Sequence, residues 1–348
     1  MPAPRPLVVL EIGGNALGDG QLTAEMVRAA ARLGAPAVKF QAFRARAFIH
    51  PSHPGFAELA REETPFAVLA DAMELAHSLG IKAGLTVFDQ EGVEFASRHD
   101  ADFVKISSGD LTYHALLRLA AASGIPLALS TGASTQEEVE AALRVVAETG
   151  ARLWSLLQCS SLYPTPPEAA NLAVMDRWLG DGLPAGFSDH TLGVQGAFAA
   201  LALGARLLEK HFTVDRALPG GDNFMSATPQ EAAAIARRAA KAERAENAAN
   251  AAGGAGGGAD PRSTPYYGDP QKRLGPLERP ELIRRAAVAA RALSRGAPLH
   301  DEDLLFQRVP PPPGDEPLLR PDEPFAGRAL VRPKEKGEPL LARDLASA

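Results

Sequence analysis

A single structural unit recurs along the first 245 residues and limits the fold more than any other feature of this sequence. A short apolar run rich in β-forming residues is followed by a stretch rich in Ala, Leu, Glu and Arg with helical periodicity. The predicted strands are residues 7–12, 37–40, 82–87, 103–106, 127–130, 153–158, 185–188 and 206–211. Eight strands that alternate with helices within roughly 240 residues favour a closed parallel (β/α)8 barrel over an open doubly wound sheet.

Small residues mark the ends of the predicted helices. The helical patterns cover residues 24–33, 66–79, 136–148 and 229–245, and Thr135 is the expected N-cap of the third. Glycines stand where helices should end, and we expect left-handed caps at Gly34, Gly80, Gly124, Gly150 and Gly204. The first predicted strand is not followed by GxGxxG, which argues against a dinucleotide-binding fold.

Composition excludes several classes of protein. The 348 residues include 36 basic and 42 acidic side chains, for a net charge of −6, so the chain lacks the polybasic signature of nucleic-acid or anionic-lipid binding. Its one cysteine, Cys159, excludes an internal disulfide framework and a multi-thiolate zinc site. No apolar stretch reaches the roughly 20 residues of a membrane span. We therefore expect a cytoplasmic protein without nucleic-acid or membrane partners.

The sequence divides into three parts. Residues 1–248 contain the predicted barrel, residues 249–282 form a linker that begins with an Ala/Gly tract, and residues 283–348 form a small second domain. The second domain contains two similar phrases, RALSRGAPLHDEDL and RPKEKGEPLLARDL. Each phrase has basic residues, a glycine turn, Pro-Leu and an acidic-Leu ending, which predicts a β-rich module with an internal repeat.

Polar side chains stand at the ends of the predicted barrel strands, where barrel enzymes carry their catalytic groups. Two cations and a set of hydroxyl donors suit a phosphorylated anion: Lys39, Lys105, Thr86, Ser108, Ser130, Ser161 and Ser188. His190 and His211 end neighbouring strands, so their imidazoles can approach one divalent ion. Two histidines with carboxylates and water suit Mn²⁺ best, with Mg²⁺ or Co²⁺ as alternatives.

These residues belong to motifs that resemble a known family. EIGGN, VKFQAF, VKISSGD, LLQCSSLYPTP, GFSDHTLG, LLEKHFT and LPGGD, in this order, resemble the sialic acid synthase family. RRAAVAARALSRG, LLFQRV, GRAL and KGEPL resemble its antifreeze-like (SAF) domain. The resemblance implies a TIM barrel followed by a small β-rich SAF domain. It also implies a transferase that condenses phosphoenolpyruvate with an N-acyl aminohexose such as N-acetylmannosamine, giving a nine-carbon 2-keto sugar acid and phosphate.

The resemblance also implies a role for each matching residue. His190 and His211 would be the metal ligands, and Glu11 and Asp110 the acid/base or water-positioning carboxylates. The phosphoenolpyruvate pocket would consist of Lys39, Thr86, Lys105, Ser108, Ser130, Ser161 and Ser188, and the sugar contacts would be Gln41, Tyr163 and Asp222. Arg308 of the SAF domain would reach the sugar's N-acyl group in the partner's site, because the family forms domain-swapped homodimers.

The chain departs from the family pattern at several positions. Ala16 replaces the histidine of the first motif, Asn223 stands where GPDH has its histidine, and Asp110 replaces a glutamate. The stretch from residue 44 to residue 65 is short where relatives carry a longer sugar-contacting loop. Apart from Asp110, these changes lie on the acceptor side.

Three alternatives therefore stay open. The first is a synthase for another acceptor, such as a legionaminic- or pseudaminic-type diacetamido sugar or another aldose. The second is a sugar-binding barrel that has lost catalysis, and the third is a Schiff-base aldolase built on Lys105, which would need no metal.

Overall fold

The computed structural model describes residues 6–252, 260–314 and 316–346. It confirms the predicted barrel, since eight parallel strands follow one another around a closed sheet. The strands are β1 (Leu7–Glu11), β2 (Ala37–Ala42), β3 (Lys82–Val87), β4 (Phe103–Ile106), β5 (Leu127–Ser130), β6 (Leu153–Cys159), β7 (Ala185–Asp189) and β8 (Leu207–His211). Predicted and observed strand ends differ by at most two residues.

Helices surround the barrel. They are α1 (Gly20–Arg32), α2 (Ala45–Phe48), α3 (Phe56–Glu62), α4 (Phe66–Ser78), α5 (Gln90–Arg98), α6 (His114–Ala122), α7 (Gln136–Thr149), α8 (Ala173–Gly180), α9 (Gln195–Ala202), α10 (Pro229–Ala252) and α11 (Pro280–Ile283). Thr135 caps α7 in a capping box with Glu138, as the sequence predicts. The five predicted cap glycines all have positive φ. Within the described residues, no helix has the length and apolarity needed to cross a bilayer.

Alternation along the strands determines what faces the barrel interior. The lower layer of the interior is apolar and is made by Val9, Ala37, Phe103, Ala128, Leu157 and Leu207. Successive side chains of a strand point to opposite faces, so the residue two positions later also points inward, one layer nearer the carboxyl end. Val9 is thus followed by Glu11, and Leu207 by Glu209. The interior therefore changes from apolar to charged within one layer.

The C-terminal domain has the predicted internal repeat. Strands β9 (Arg285–Ala289) and β10 (Leu304–Arg308) pair antiparallel. The two similar segments pair with each other through antiparallel backbone bridges, such as the one that joins Leu293 to Lys334. Each phrase ends in a buried aspartate that accepts a hydrogen bond from the backbone N–H three residues earlier. The repeated sequence thus forms two equivalent halves of one small β-rich domain.

The predicted linker has defined structure over most of its length. Residues 249–252 continue α10, residues 253–259 lie outside the described residues, and residues 260–283 pack along the barrel. Within that last part, Arg262 pairs with Asp176 of α8, and Leu172 and Ala173 donate backbone hydrogen bonds to Tyr266 and Tyr267. The segment that connects the two domains is therefore anchored on the barrel wall.

Candidate functional site

A cavity opens at the carboxyl ends of the barrel strands, directly above the apolar interior layer. It brings together the predicted site residues Glu11, Lys39, Gln41, Thr86, Lys105, Ser108, Ser130, Ser161, Tyr163, Ser188, His190, His211, Asp222 and Arg308. Asp110 does not line it. Residues that sequence reasoning did not assign also line it, among them Phe48, Leu59, Glu62, Cys159, Glu209 and Ile283.

Two lysines and two glutamates form one buried network on the floor of the cavity. Lys39 forms an ion pair with Glu11 and donates a hydrogen bond of 2.5 Å to Thr86 Oγ1. Lys105 forms an ion pair with Glu209, whose second carboxylate oxygen lies 3.8 Å from Lys39 Nζ. Because all four charged side chains are buried, their mutual attraction is stronger than between exposed groups. The network holds both ammonium groups at fixed positions before any ligand binds.

The network also sets the protonation state of its members. Burial raises the pKa of Glu11, although Lys39 opposes this effect. Burial would also raise the pKa of Glu209, but Lys105 and Lys39 outweigh it and hold that pKa below its usual value. Burial would lower the pKa of Lys105, but the attraction of Glu209 outweighs burial and raises that pKa. Lys105 is therefore a stable cation, whereas a Schiff-base aldolase needs a neutral amine.

Glu209 is the clearest residue that sequence reasoning left unassigned. It precedes His211 by two positions on β8, so the two side chains share the inward face of the strand. Ser188 Oγ donates to its Oε1 over 2.8 Å. This shared inward face was the available signal, but no sequence pattern indicated which lysine the carboxylate would meet.

Hydroxyl groups line the same cavity as the two lysines. Ser108 Oγ accepts a hydrogen bond of 2.9 Å from the backbone N–H of Gly132. A Cβ atom at position 132 would lie 2.4 Å from Ser161 Oγ and 2.8 Å from Ser108 Oγ, so only glycine leaves both hydroxyls their space. Ser130 Oγ is buried and has no hydrogen-bond partner among the described residues. Hydroxyls beside ammonium groups form a set of donors suited to a phosphate or carboxylate.

Two imidazoles lie next to each other in the same cavity. The ring centroids of His190 and His211 are 5.6 Å apart, and the Tyr163 ring stacks on His190 at 4.2 Å. His190 Nδ1 lies 2.7 Å from the carbonyl oxygen of Ser160, which can only accept, so this nitrogen donates. Burial opposes the charge on the ring, but the Cys159 sulfur, 3.8 Å from Nδ1, and the Ser160 carbonyl outweigh burial and raise the pKa of His190. Burial lowers the pKa of His211 to about 4, which keeps its ring neutral.

These histidines fit a divalent ion held by few protein ligands. Within residues 6–252, 260–314 and 316–346, no group of three or more His, Cys, Asp or Glu side chains is arranged to hold a metal. Nδ1 of His211 is buried without a hydrogen bond, and it lies 3.4 Å from Oδ2 of Asp222. One imidazole oriented by a backbone carbonyl and one unpartnered imidazole are suitable ligands, and the open cavity leaves positions for water or substrate.

The geometry of Asp110 differs from the expected catalytic role. Its carboxylate is buried beside the cavity, and Oδ1 accepts a hydrogen bond of 2.6 Å from Nε of Arg285. Oδ2 accepts a second one, of 2.8 Å, from Ser107 Oγ. Arg285 also donates to the carbonyl oxygens of Phe88 and Phe306. Asp110 thus connects the barrel to the first strand of the SAF domain, and its role as an acid, a base or a water-positioning group stays a prediction.

The SAF domain supplies Arg308 to the cavity. Arg308 ends β10, and its carbonyl oxygen accepts a hydrogen bond of 2.8 Å from the backbone N–H of His50. Its guanidinium lies 4.4 Å above the Phe48 ring, and its Nε is buried without a partner in the described chain. Burial lowers its pKa to about 10, so the group keeps its charge at neutral pH. These contacts join the SAF domain to the barrel of the same chain, and the domain-swapped dimer stays a prediction.

A glutamate of the connecting segment holds two of the barrel loops. Oε1 of Glu278 accepts hydrogen bonds from the backbone N–H groups of Ala133 and Ser161, over 2.8 and 2.9 Å. Its other oxygen accepts one from Gly275. Because Ser161 is one of the cavity hydroxyls, Glu278 fixes the position of the loop that carries it. No sequence motif marked this residue.

Comparison with known proteins identifies the relatives of this chain. It is 32% identical to N,N'-diacetyllegionaminic acid synthase of Legionella pneumophila, over 86% of this chain and 85% of that protein. It is 31% identical to N-acetylneuraminate-9-phosphate synthase of Drosophila melanogaster, over 66% of this chain and 65% of that one. The crystal structure of the spore coat polysaccharide biosynthesis protein SpsE of Bacillus subtilis superposes with a TM-score of 0.83 at 25% identity, over 100% of this chain and 97% of the other.

Family models match both parts of the chain. The model of the NeuB family matches residues 26–251, and the model of the SAF domain matches residues 284–346. The second match begins at the residue before β9 and covers both halves of the repeat. The chain is therefore a member of the NeuB family of sialic acid-type synthases, with a C-terminal SAF domain.

Proposed function

We propose that this protein condenses phosphoenolpyruvate with an open-chain N-acyl aminohexose, such as N-acetylmannosamine, and releases phosphate. The observation that supports this best is the composition of the cavity. One cavity contains two fixed ammonium groups, a set of hydroxyls, and the imidazoles of His190 and His211. An anionic donor and an aldehyde acceptor need these two kinds of group beside each other.

The donor would bind on the side of Lys39 and Lys105. The hydroxyls of Ser108, Ser130 and Ser161 donate to phosphate oxygens, while the two ammonium groups offset the negative charge. These donors are oriented by the protein itself, so little reorganisation accompanies binding, and charge stabilisation in a buried site is strong.

The reaction forms one carbon–carbon bond and breaks one carbon–oxygen bond. The CH₂ carbon of phosphoenolpyruvate attacks the aldehyde carbon, and the former aldehyde oxygen takes a proton. The oxygen of a water molecule adds to C2 of the donor, the water loses a proton, and phosphate leaves with its bridging oxygen. Glu11 is suited to accept the proton from water, because burial raises its pKa toward the working pH. Gln41 donates to Glu11 Oε1 over 3.2 Å and so orients that carboxylate.

His190 and His211 are the residues that would hold a divalent ion, with Mn²⁺ preferred. Such an ion, when bound, supplies Lewis-acid polarisation of the acceptor's carbonyl group. The chain itself contributes the orientation of the rings, through the Ser160 carbonyl and the stacked ring of Tyr163. Tyr163 and Asp222 also border the space that the sugar would occupy.

Arg308 would bind the carbonyl oxygen of the N-acyl group. A guanidinium offers several donors in a fixed plane, which a lysine does not reproduce. We propose that the protein forms a homodimer in which each SAF domain closes the barrel of the partner subunit. The contacts would be the same as those that the SAF domain makes with the barrel of its own chain in the structure. We also assign the reaction to the cytoplasm, where phosphoenolpyruvate is available.

A phosphate-release assay tests this function. Purified protein with phosphoenolpyruvate and Mn²⁺ is offered a panel of sugars: N-acetylmannosamine, its 6-phosphate, a 2,4-diacetamido-2,4,6-trideoxyhexose and mannose. We expect acceptor-dependent release of phosphate together with a nine-carbon 2-keto acid, detected by mass spectrometry. Release that is the same with and without every acceptor would contradict the proposal. The Lys105→Met variant is the matched control for the donor side.

A further inference from the structure

Glu62 is a carboxylate in the cavity wall that the mechanism above does not use. It is the last residue of α3, in the short insertion between β2 and α4, and it lines the cavity together with Leu59 of the same helix. A Cβ atom at Gly14 would lie 2.8 Å from its Cγ and Oε2, so the β1 loop packs directly against this side chain. The carboxylate is therefore held at the wall, and it does not swing freely in solvent.

The surroundings of Glu62 differ from those of the other cavity glutamates. Glu11 and Glu209 each contact a lysine, whereas no ion pair joins Glu62 to any cation of the described residues. Burial raises its pKa to about 7, and the charges of Asp222 and Glu58 add to this effect. Arg61, on the same helix, is exposed and lines only the neighbouring groove. This part of the cavity lining thus carries carboxyl groups that form no ion pair with a cation of the described residues.

The position of Glu62 suits contact with the end of the acceptor that lies farthest from the aldehyde. The aldehyde end must lie where the donor carbon can reach it, beside His190 and His211. His211 Nδ1 lies 3.4 Å from Asp222 Oδ2, and Asp222 is the charged group that acts most strongly on Glu62, so these three side chains follow one another along the cavity lining. A six-carbon acceptor that extends along this lining brings its far end, carbons 4 to 6, to Glu62.

We propose that Glu62 selects the acceptor by accepting a hydrogen bond from a hydroxyl or amide N–H near its far end and by rejecting acceptors phosphorylated there. This inference rests on the proposed function and specifies its substrate class. An uncharged N-acyl or N,N'-diacyl sugar offers the required donor. A phosphate group offers none as a dianion, and it is repelled by a carboxylate that no cation neutralises.

Relatives of this chain include enzymes of both kinds. N-acetylneuraminate-9-phosphate synthases are named for a product phosphorylated at carbon 9. Phosphoenolpyruvate contributes the first three carbons of a nine-carbon acid, so that phosphate comes from carbon 6 of a six-carbon acceptor. N,N'-diacetyllegionaminic acid synthases are named for a product with two acetyl groups and no phosphate. From Glu62 we expect that the acceptor of the present chain, like the product named for the second kind, carries no phosphate.

The test compares two acceptors on three proteins. The acceptors are N-acetylmannosamine and N-acetylmannosamine 6-phosphate, and the proteins are wild type, Glu62→Gln and Glu58→Gln. At pH 8, above the pKa of about 7 of Glu62, both substitutions remove one negative charge from α3, but Glu58 is exposed and does not line the cavity. For each protein kcat/KM is measured for both sugars, and the inhibition constant of the phosphorylated sugar is measured against the unphosphorylated one.

The expected result is a change in preference confined to Glu62. We expect wild type to prefer the uncharged acceptor, and Glu62→Gln to reduce that preference by about tenfold or more, a factor typical of one charge-assisted hydrogen bond or repulsion. The KM for phosphoenolpyruvate should stay unchanged, and Glu58→Gln should behave as wild type. An equal change in both variants, or an unchanged preference in Glu62→Gln, would overturn the inference.

Direct binding separates this inference from the proposed reaction. Calorimetric titration of each sugar into protein loaded with Mn²⁺ measures the same preference without turnover. A protein that releases no phosphate but shows the preference, and loses it in Glu62→Gln, would refute the proposed reaction and support the role of Glu62. If the protein releases phosphate and Glu62→Gln leaves the preference unchanged, the proposed reaction would be supported and the role of Glu62 refuted.

Discussion

Nε of Arg285, on the first strand of the SAF domain, donates a hydrogen bond of 2.6 Å to Oδ1 of Asp110, at the mouth of the barrel. Both side chains are buried, at 3% and 1% exposure, and they are 175 positions apart in the chain. The guanidinium also lies 4.8 Å from the Phe48 ring, which Arg308 covers from a distance of 4.4 Å. This contact between the domains thus lies next to Arg308, whose side chain lines the cavity.

Asp110→Ala should loosen the SAF domain without removing a catalytic group. The change leaves a buried guanidinium without its counter-charge, and breaking a buried ion pair in this way costs about 3–5 kcal/mol. We expect the free energy of unfolding, measured by urea denaturation, to fall by about that amount. The KM for the acceptor should rise while the KM for phosphoenolpyruvate does not.

The control for Asp110→Ala is Arg291→Gln. Arg291 pairs with Asp303 but is itself 63% exposed, so its removal should cost about 1 kcal/mol or less. An Asp110→Ala protein as stable as wild type, with kcat reduced a thousandfold, would instead support the acid/base role implied by the family resemblance.

The SAF domain should act on a neighbouring barrel. Arg308→Ala and His190→Ala are each expected to be nearly inactive, because one lacks the acyl-group contact and the other a metal ligand. If each SAF domain closes its partner's barrel, a mixed dimer contains one intact site, and mixing the two variants should partly restore activity. A mixture that stays inactive, although native mass spectrometry shows subunit exchange, would mean that the tail serves its own barrel.

Removal of divalent metal should abolish turnover. We expect activity to disappear after dialysis against a chelator and to return with Mn²⁺, because polarisation of the acceptor carbonyl needs a Lewis acid. His211→Ala should stay folded by circular dichroism, since the residue lies at the barrel rim, but it should lose Mn²⁺ binding measured by electron paramagnetic resonance. Full activity in excess chelator would contradict the assignment of both histidines.

The pKa of Glu62 should make stability depend on pH. Burial raises this pKa from 4.5 to about 7, with Asp222 and Glu58 adding to the effect and Arg61 opposing it. A carboxyl group whose pKa is higher in the folded state than in the unfolded state stabilises the folded state. This stabilisation is fully present below pH 4.5 and is lost as the pH rises through about 7. Relative to wild type, Glu62→Gln should therefore gain stability between pH 5 and pH 8, on the order of 1 kcal/mol because solvent still reaches the side chain.

Urea denaturation at several pH values measures this effect, and Glu58→Gln is the control. The exposed Glu58 should give a difference from wild type that varies little with pH. A flat difference for Glu62→Gln as well would show that the Glu62 carboxylate is as well solvated as a surface residue.

The fate of the bridging oxygen tests the proposed bond cleavage. Phosphoenolpyruvate labelled with ¹⁸O at the bridging position should give labelled phosphate, because the bond between carbon and oxygen breaks. The measurement is the mass of the released phosphate. Unlabelled phosphate would mean that the bond between phosphorus and oxygen breaks, as in a kinase or phosphatase, and would exclude attack of water on C2.

Sequence patterns predicted the barrel and most of the cavity because both depend on local rules. Strand and helix periods, helix caps and glycine turns involve residues close in the chain, so the bounds of β3, β4 and β5 match the prediction. The carboxyl ends of parallel strands meet at one mouth. Side chains at those ends, such as Lys39, Lys105 and His211, therefore had to come together.

Tertiary structure alone decided the contacts between distant parts of the chain. Asp110 follows a strand end just as Ser108 does, but the SAF domain brings Arg285 to its carboxylate, and Asp110 does not line the cavity. Glu62 and Glu278 lie in segments without a marked periodicity, and each reaches the site only because its segment packs against a barrel loop. Such contacts depend on the free energy of packing whole elements against one another, and residue types and spacing do not encode which partner each charge will meet.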